Sequence, residues 1–182
     1  MTLTGQLLVA SPRLVDPNFD RAVLFILDDD DDGSLGVVIN RPSRLPLSVV
    51  LPAWAQAVTE PPMLFSGGPV AEEAALAVGL ALGAGPPIGF KRLTGCYGLV
   101  DLDVVPEALL GDLSGVRVFS GYAGWGEGQL EEEIAEGSWY VVEALPSDLL
   151  SDEPERLWRT VLRRQPGELA YLSTFPDDPT MN

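Results

Sequence analysis

Between Ser120 and Ile134 the chain reads Ser-Gly-Tyr-Ala-Gly-Trp-Gly-Glu-Gly-Gln-Leu-Glu-Glu-Glu-Ile, and this stretch restricts the fold more than any other. It leaves an apolar run carrying Val116, Val118 and Phe119, crosses glycines interleaved with two aromatics, and enters an acidic segment. Glycines at 121, 124, 126 and 128 admit backbone angles and close approaches that side chains forbid, so a glycine-rich turn is expected here. Beyond it Leu130 and Ile134 stand four residues apart, and Gln129 and Glu133 stand four apart on another face, which is helical spacing. Gly137 supplies a helix stop. The reading is a strand, a turn anchored by Tyr122 and Trp125, and a short helix.

Elsewhere the apolar runs are short and bounded by turn residues. Gln6 to Ala10 and Ala22 to Leu27 are too short for helices and are expected strands. Five aspartates, Asp28 to Asp32, followed by Gly33 and Ser34 mark a hairpin tip, with Leu35 to Asn40 as the return strand. Pro46 to Val58 spaces Leu47, Val50, Leu51, Trp54 and Val58 helically around Pro52, which predicts a short or kinked helix. Met63 to Phe65 reads as a strand ending in Ser66-Gly67-Gly68-Pro69. Propensity favours a helix over the alanine-rich segment from Ala71 to Leu82, while its flanking glycines leave a strand open. Gly83 to Gly89 is a Gly/Pro loop. Tyr97 to Asp103 and Trp139 to Val142 are expected strands, and Pro106 to Leu113 a short helix. Glu155 to Gln165 is the clearest helix, with Leu157, Trp158, Val161 and Leu162 on one stripe. Leu169 to Leu172 is an expected strand, and a polar tail begins at about Asp177. Strands outnumber helices without strict alternation, so the fold class is α+β with a mixed, largely antiparallel sheet and a few packed helices. A length of 182 residues suits a single compact domain over 1–182.

The chain holds 27 acidic and 11 basic residues, a net charge of −16, and no histidine. Nucleic-acid affinity depends on neutralising phosphates, so this balance argues against unassisted contact with nucleic acid or an anionic membrane. It favours a soluble monomer or weak homo-oligomer. Met1 to Pro12 lacks the pattern of a secretory signal, no apolar run is long enough to span a bilayer, and Cys96 is the single cysteine. A cytoplasmic location is therefore expected.

Absence of histidine removes Ser-His-Asp and Cys-His nucleophile systems and histidine-dependent zinc sites. One cysteine removes cysteine-only metal sites within a single chain. Asp28-x-Asp30-x-Asp32-Gly33 opens like a calcium-binding helical loop, but the twelfth position is Ile39 and a strand precedes it. No metal site is assigned there. Ser66-Gly67-Gly68-Pro69 lacks the lysine of a phosphate-binding loop. At the start of the acidic helix, Glu127, Glu131, Glu132 and Glu133 repel one another by about 1 kcal/mol per close contact. That repulsion exceeds a helix-dipole attraction for anions of about 0.3–1 kcal/mol. A neutral, cationic or metal-bridged ligand suits the place better than free phosphate.

Several blocks in order carry a family resemblance: Asp16-Pro17-Asn18-Phe19 with Arg21, Gly36-Val37-Val38-Ile39-Asn40-Arg41-Pro42, Gly67-Gly68-Pro69-Val70, and Gly121-Tyr122-Ala123-Gly124-Trp125-x-x-Gly128-Gln129-Leu130-Glu131-x-Glu133-Ile134. Together they resemble the bacterial YqgE/AlgH family over nearly the whole chain. The resemblance implies a compact α+β domain with a bent mixed sheet, and makes Ala74 to Leu80 a strand against its propensity. Some members of the family are labelled transcriptional regulators, through a link to alginate control. It brings no catalytic residues and names no cofactor.

A ligand site is expected where Ser66 to Pro69 and Gly121 to Gly128 approach Asn40 and Arg41, because strand ends gathered on one edge let loops form a pocket. The candidate binding residues are Asn40, Arg41, Ser66, Gly67, Gly68, Gly121, Tyr122, Trp125, Gln129 and Glu133. The competing reading is that Arg41 pairs with a local glutamate and the glycine turns pack without a cavity. The expected function is a non-catalytic binding or regulatory module acting through a protein or a small ligand. The alternatives are an enzyme built on carboxylates and a metal, and, third, a direct DNA-binding regulator using Arg156, Arg159, Arg163 and Arg164.

The charge balance sets a test. A fluorescence-anisotropy titration at about 150 mM salt should show no sequence-specific duplex binding tighter than about 1 μM, since non-specific affinities lie near 10⁻⁴–10⁻⁶ M. Specific binding tighter than that would restore the DNA-reading alternative.

Overall fold

Burial with a period of two organises the molecule, and it buries both faces of the central strands. Along β1 (Gln6–Ala10), Leu7 and Val9 enter one apolar cluster while Leu8 and Ala10 enter another. The next strand, β2 (Val23–Asp30), repeats this, with Val23, Phe25 and Leu27 on the first side and Leu24 and Ile26 on the second. A strand buried on both faces needs cover on both. The computed structural model describes residues 2–85 and 87–178.

The remaining strands are β3 (Gly33–Val38), β4 (Pro42–Pro46), β5 (Met63–Ser66), β6 (Val70–Ala81), β7 (Phe90–Thr94), β8 (Tyr97–Val100), β9 (Leu113–Gly126) and β10 (Trp139–Glu143). The main sheet runs β10-β1-β2-β3-β9-β6-β8-β7 with every neighbour antiparallel. A β4–β5 pair joins it through a parallel contact, Phe65 to Phe119 and Ser66 to Ser120. The sheet curls into a half-barrel, so the α+β class with a bent, mixed, largely antiparallel sheet holds. The helices are α1 (Leu47–Val50), α2 (Gln129–Ala135), α3 (Pro146–Leu149), α4 (Leu157–Arg163) and α5 (Glu168–Leu172). One face is covered by α4 through Leu157, Trp158, Val161 and Leu162, and the other by Leu130 of α2 with Trp125 and Trp139. A third cluster, around Trp54 and Leu109, closes the far end. No described helix is long and apolar enough to cross a membrane.

Tertiary pairing overrides local signals in several places. The glycine-rich stretch expected as a turn is the second half of β9, and the chain turns only at Glu127 and Gly128. Gly124 and Gly126 lie opposite Leu35 and Gly33 in the β3 ladder. The alanine-rich segment is β6, paired by β9 on one side and β8 on the other, as the resemblance implied and its helix propensity did not. Leu169 to Leu172 belongs to α5, where Leu169 and Leu172 pack on the first cluster, so the expected strand is a helix. Its apolar run was too short for periodicity to separate the two. The expected helix from Pro106 is two single 3₁₀ turns, Pro106–Ala108 and Leu110–Asp112. The segment from Pro46 is kinked as expected, with α1 followed by a 3₁₀ turn at Pro52–Trp54. Asp28 to Asp30 belong to β2, leaving Asp31 and Asp32 as the hairpin tip. The polar tail beyond Asp178, and Pro86 in the Gly/Pro loop, lie outside the described residues.

Arg117 of β9 is 1 % exposed and donates to the carbonyls of Glu60, Leu149 and Ser151 at 2.6, 2.9 and 2.9 Å. Burial lowers its pKa to about 10, against a smaller raising effect of Asp152, so it remains a cation at neutral pH. Its guanidinium also lies 4.4 Å from the centre of the Phe65 ring. The residue braces β9 to the loop at Glu60 and to the end of α3 with the residues that follow it.

Within β9 the side chains change faces at one residue. Phe119 and Tyr122 pack on the first cluster, whereas Ala123 and Trp125 belong to the cluster on the opposite face. Strict alternation would send 119, 123 and 125 to the same side. The switch is at Gly121, whose φ of +71° is a left-handed conformation. A Cβ there would stand 2.4 Å from the Gly68 carbonyl oxygen, and a Cβ on Gly67 would stand 2.4 Å from that of Gly121. Gly121→Ala should therefore cost at least about 2 kcal/mol, from backbone strain of about 1–2 kcal/mol and this contact. At this chain length that lowers Tm by about 4–8 °C. Gly126→Ala, with ordinary φ and open space, should stay within about 2 °C; equal melting of the two variants would show that the crossing is soft.

Candidate functional site

Downstream of Gly121, β9 carries Trp125 onto the face that also receives Trp139, the first residue of β10. Gly128, at φ +73°, turns the chain into α2, and helical spacing then aligns Gln129 with Glu133. A buried indole N–H needs an acceptor. Both are served by one atom: Oε2 of Glu133 accepts from Nε1 of Trp125 at 3.0 Å and from Nε1 of Trp139 at 2.8 Å. The other oxygen accepts from Nε2 of Gln129 at 3.0 Å, and Oε1 of Gln129 accepts the Gly126 backbone N–H at 3.1 Å. One carboxylate thus fixes two strands to one helix.

The turn between β1 and β2 closes over these rings. Asp16 caps it, accepting the Asn18 backbone N–H at 2.8 Å. Phe19 stacks on Trp125 with ring centres 6.4 Å apart and meets Trp139 edge-on at 5.5 Å. The two tryptophans stand at 85° with centres 6.1 Å apart. Leu14, Asp16, Phe19, Trp125, Glu133 and Trp139 border a cleft of about 330 Å³. Trp125 and Trp139 are 6 % and 2 % exposed, so they form its floor, while Phe19, Asp16 and Glu133 are half-buried.

The ten candidate residues fall in three places. Trp125, Gln129 and Glu133 meet in the cleft. Asn40, Arg41, Ser66, Gly67, Gly68 and Gly121 lie where the strand ends cross, and Tyr122 packs on the opposite face. Asn40 accepts the Val23 N–H at 2.9 Å and donates to the Arg21 carbonyl at 2.9 Å, so it mimics a strand partner. Among the described residues Arg41 pairs with no glutamate. It donates to the carbonyls of Pro17, Asn18 and Asp20, clamping the turn whose Asp16 and Phe19 line the cleft. Burial lowers the Arg41 pKa, while Asp20 and Asp16 raise it. A smaller hollow of about 80 Å³ lies between Arg41, Asn18, Ser66, Gly68 and Glu72. Gly67, Gly68 and Gly121 serve close backbone approach.

Sequence reasoning did not place Asp16, Phe19 and Trp139 in the site. Asp16 and Phe19 stand out in the sequence only as turn and family residues, and Trp139 only as a strand start that fits the family, because what joins them to Glu133 is long-range packing. Among the described residues, no group of three or more His, Cys, Asp or Glu is placed to hold a metal ion. On α4 and its flanks Arg156 pairs with Glu153 at 3.2 Å, Arg159 with Asp177 at 2.5 Å and Arg164 with Asp148 at 2.5 Å.

A family model described as AlgH-like matches residues 7–170. A UPF0301 protein of Streptomyces avermitilis is 55 % identical over 185 residues, which cover 100 % of this chain and 96 % of that protein. One from Thermobifida fusca is 47 % identical over 191 residues, with the same coverage of 100 % and 96 %. A crystal structure of a Corynebacterium diphtheriae protein superimposes with a TM-score of 0.89 at 34 % identity, over 94 % of this chain and 92 % of that one. The solution structure of the AlgH protein from Pseudomonas aeruginosa gives a TM-score of 0.72 at 26 % identity, over 96 % and 94 %.

Replacing Trp125 separates the ring from its hydrogen bond. Trp125→Ala should cost about 3–5 kcal/mol for a large buried ring. Trp125→Phe keeps most of the apolar surface but removes one donor to a charged acceptor, worth about 1.5–3 kcal/mol. Chemical denaturation should rank the two in that order; a Trp125→Ala variant as stable as its parent would mean the ring is not part of the core.

Proposed function

The chain belongs to the AlgH-like family, and from that premise we propose that it is a non-catalytic binding module that takes a small ligand in the cleft between the Asp16–Phe19 turn and α2. The observation that carries this reading is the state of Glu133. A general acid or base must exchange its proton with substrate. The Glu133 oxygens instead accept three hydrogen bonds from two indoles and an amide, which makes the carboxylate a fixed acceptor. Fixed, partly desolvated polar groups on a floor of aromatic rings suit recognition, and about 330 Å³ falls within the usual range of ligand sites, about 300–1,000 Å³. Binding there would be transmitted through the turn that Arg41 clamps, which gives a regulatory module its route. On α4 and its flanks Arg156, Arg159 and Arg164 pair with carboxylates, which speaks for a ligand or protein rather than DNA. A single cysteine fits a reducing cytoplasm, where we place the protein.

The four tryptophans provide the test. In a metabolite screen followed by ¹H–¹⁵N NMR, a true ligand should shift the indole N–H signals of Trp125 and Trp139. It should leave those of Trp54 and Trp158, bonded to the Leu102 and Ala10 carbonyls, in place. A ligand that moves only the latter pair, or one that the protein turns over, would overturn the reading.

A further inference from the structure

We infer that the ligand of this cleft carries an organic cation, an ammonium or guanidinium group, seated by the Glu133 and Asp16 carboxylates against the Phe19 ring. The inference rests on the binding reading above and narrows it to a chemical class.

Charge is the first argument. Two carboxylates border one cleft, and among the described residues neither forms an ion pair; arginines pair elsewhere, as in Arg21–Asp20, Arg156–Glu153, Arg159–Asp177 and Arg164–Asp148. Every partner of Glu133 is a neutral N–H group, which orients the carboxylate without supplying positive charge. Arg41 is close enough to Asp16 to interact with it, yet its guanidinium is directed at the backbone carbonyls of the turn. Among the described residues no lysine or arginine lines the cleft, and Glu131, Glu132 and Glu136 on or just after α2 add negative potential. An anionic ligand would face two carboxylates there with no cation on the cleft lining to offset them.

Geometry is the second argument. Oε1 of Glu133 accepts one hydrogen bond and keeps acceptor capacity, whereas Oε2 is filled by the two indoles. Trp139 stands nearly perpendicular to both Phe19 and Trp125, at 74° and 85°, so the rings form a corner. Ring faces carry negative charge density and attract a cation that has lost part of its water. A cleft of about 330 Å³ is far larger than a bare ion needs, and two carboxylates with aromatic walls are a poor donor set for a metal. An organic cation uses both the acids and the rings.

The test compares cations with neutral molecules of the same shape. Choline, putrescine and agmatine are titrated at about 150 mM salt, where exposed charges are screened beyond about 8 Å. The neutral partners are 3,3-dimethylbutan-1-ol and 1,4-butanediol, and the indole N–H signals of Trp125 and Trp139 are followed. At least one cation should shift both signals saturably, its neutral counterpart at least tenfold more weakly. Asp16→Asn, which keeps an acceptor for the Asn18 N–H, should weaken the cation about tenfold or more. Equal binding of the neutral partner, or a metabolite-screen hit with no positive charge, overturns the cation inference and leaves the binding reading standing. Shifts spread over the acidic surface, including the Asp31–Asp32 tip, overturn it as non-specific attraction. If neither these probes nor the metabolite screen moves the two indoles, the binding reading falls as well.

Discussion

Three glycines that cross backbone to backbone set the geometry on which the rest of the structure depends. Gly67 donates to the Ser120 carbonyl, its own carbonyl accepts from Val38, and Gly68 and Gly121 approach more closely than any side chain permits. This crossing joins β5 to β9 in the parallel contact of an otherwise antiparallel sheet. It also forces Gly121 into the left-handed region, and so turns β9 over between Phe119 and Ala123. Without that reversal the alternation would carry Trp125 toward Phe25 and Val37 and leave α2 nothing to pack on. The same constraint therefore fills the core on one face and builds the cleft on the other.

The cleft takes its rigidity from the interactions that stabilise the fold. Two buried indoles need acceptors, and a carboxylate removed from bulk water needs donors. Glu133 answers both needs at once, tying β9, β10 and α2 with hydrogen bonds of 2.8–3.0 Å. Charge-assisted bonds of this kind are stronger than neutral ones, and a half-buried setting screens them little. Among the described residues no cation is paired with this carboxylate. The fold tolerates that local excess because the indole and amide dipoles point at the charge.

Much of the fold was legible in the sequence where a single local signal governed. β1, the β2–β3 hairpin, the stripe of α4 and the i, i+4 pair Gln129 and Glu133 follow directly from spacing. The glycine-rich half of β9 was not legible, because glycine reports permission for a turn and the ladder with β3 decides whether one occurs. Alanine in β6 is similar: its helix propensity is worth a fraction of a kcal/mol per residue, less than pairing on both sides supplies. β4 and β7 carry no apolar signal of their own and exist through their neighbours. In the site, the polar pair on α2 could be read from spacing, whereas its union with Trp139 and Phe19 joins separate parts of the chain and could not.

The use made of arginine gives the acidic composition its structural meaning. Arg21, Arg41, Arg92, Arg117, Arg159 and Arg164 each donate to backbone carbonyls, mostly in loops that no ladder reaches. A guanidinium presents several donors in a rigid fork, so one side chain can satisfy carbonyls from two or three segments. Arg117 does this for Glu60, Leu149 and Ser151, and Arg41 for the Asp16–Asp20 turn. Among the described residues Arg41, Arg92 and Arg117 donate to carbonyls alone, whereas Arg21, Arg159 and Arg164 also pair with Asp20, Asp177 and Asp148. With 27 acidic residues against 11 basic, the chain cannot pair most of its carboxylates one to one, and part of its positive charge is also engaged with backbone oxygens. Arg41 shows the same use beside the cleft: its guanidinium holds the carbonyls of the turn that carries Asp16, and among the described residues neither Asp16 nor Glu133 forms an ion pair.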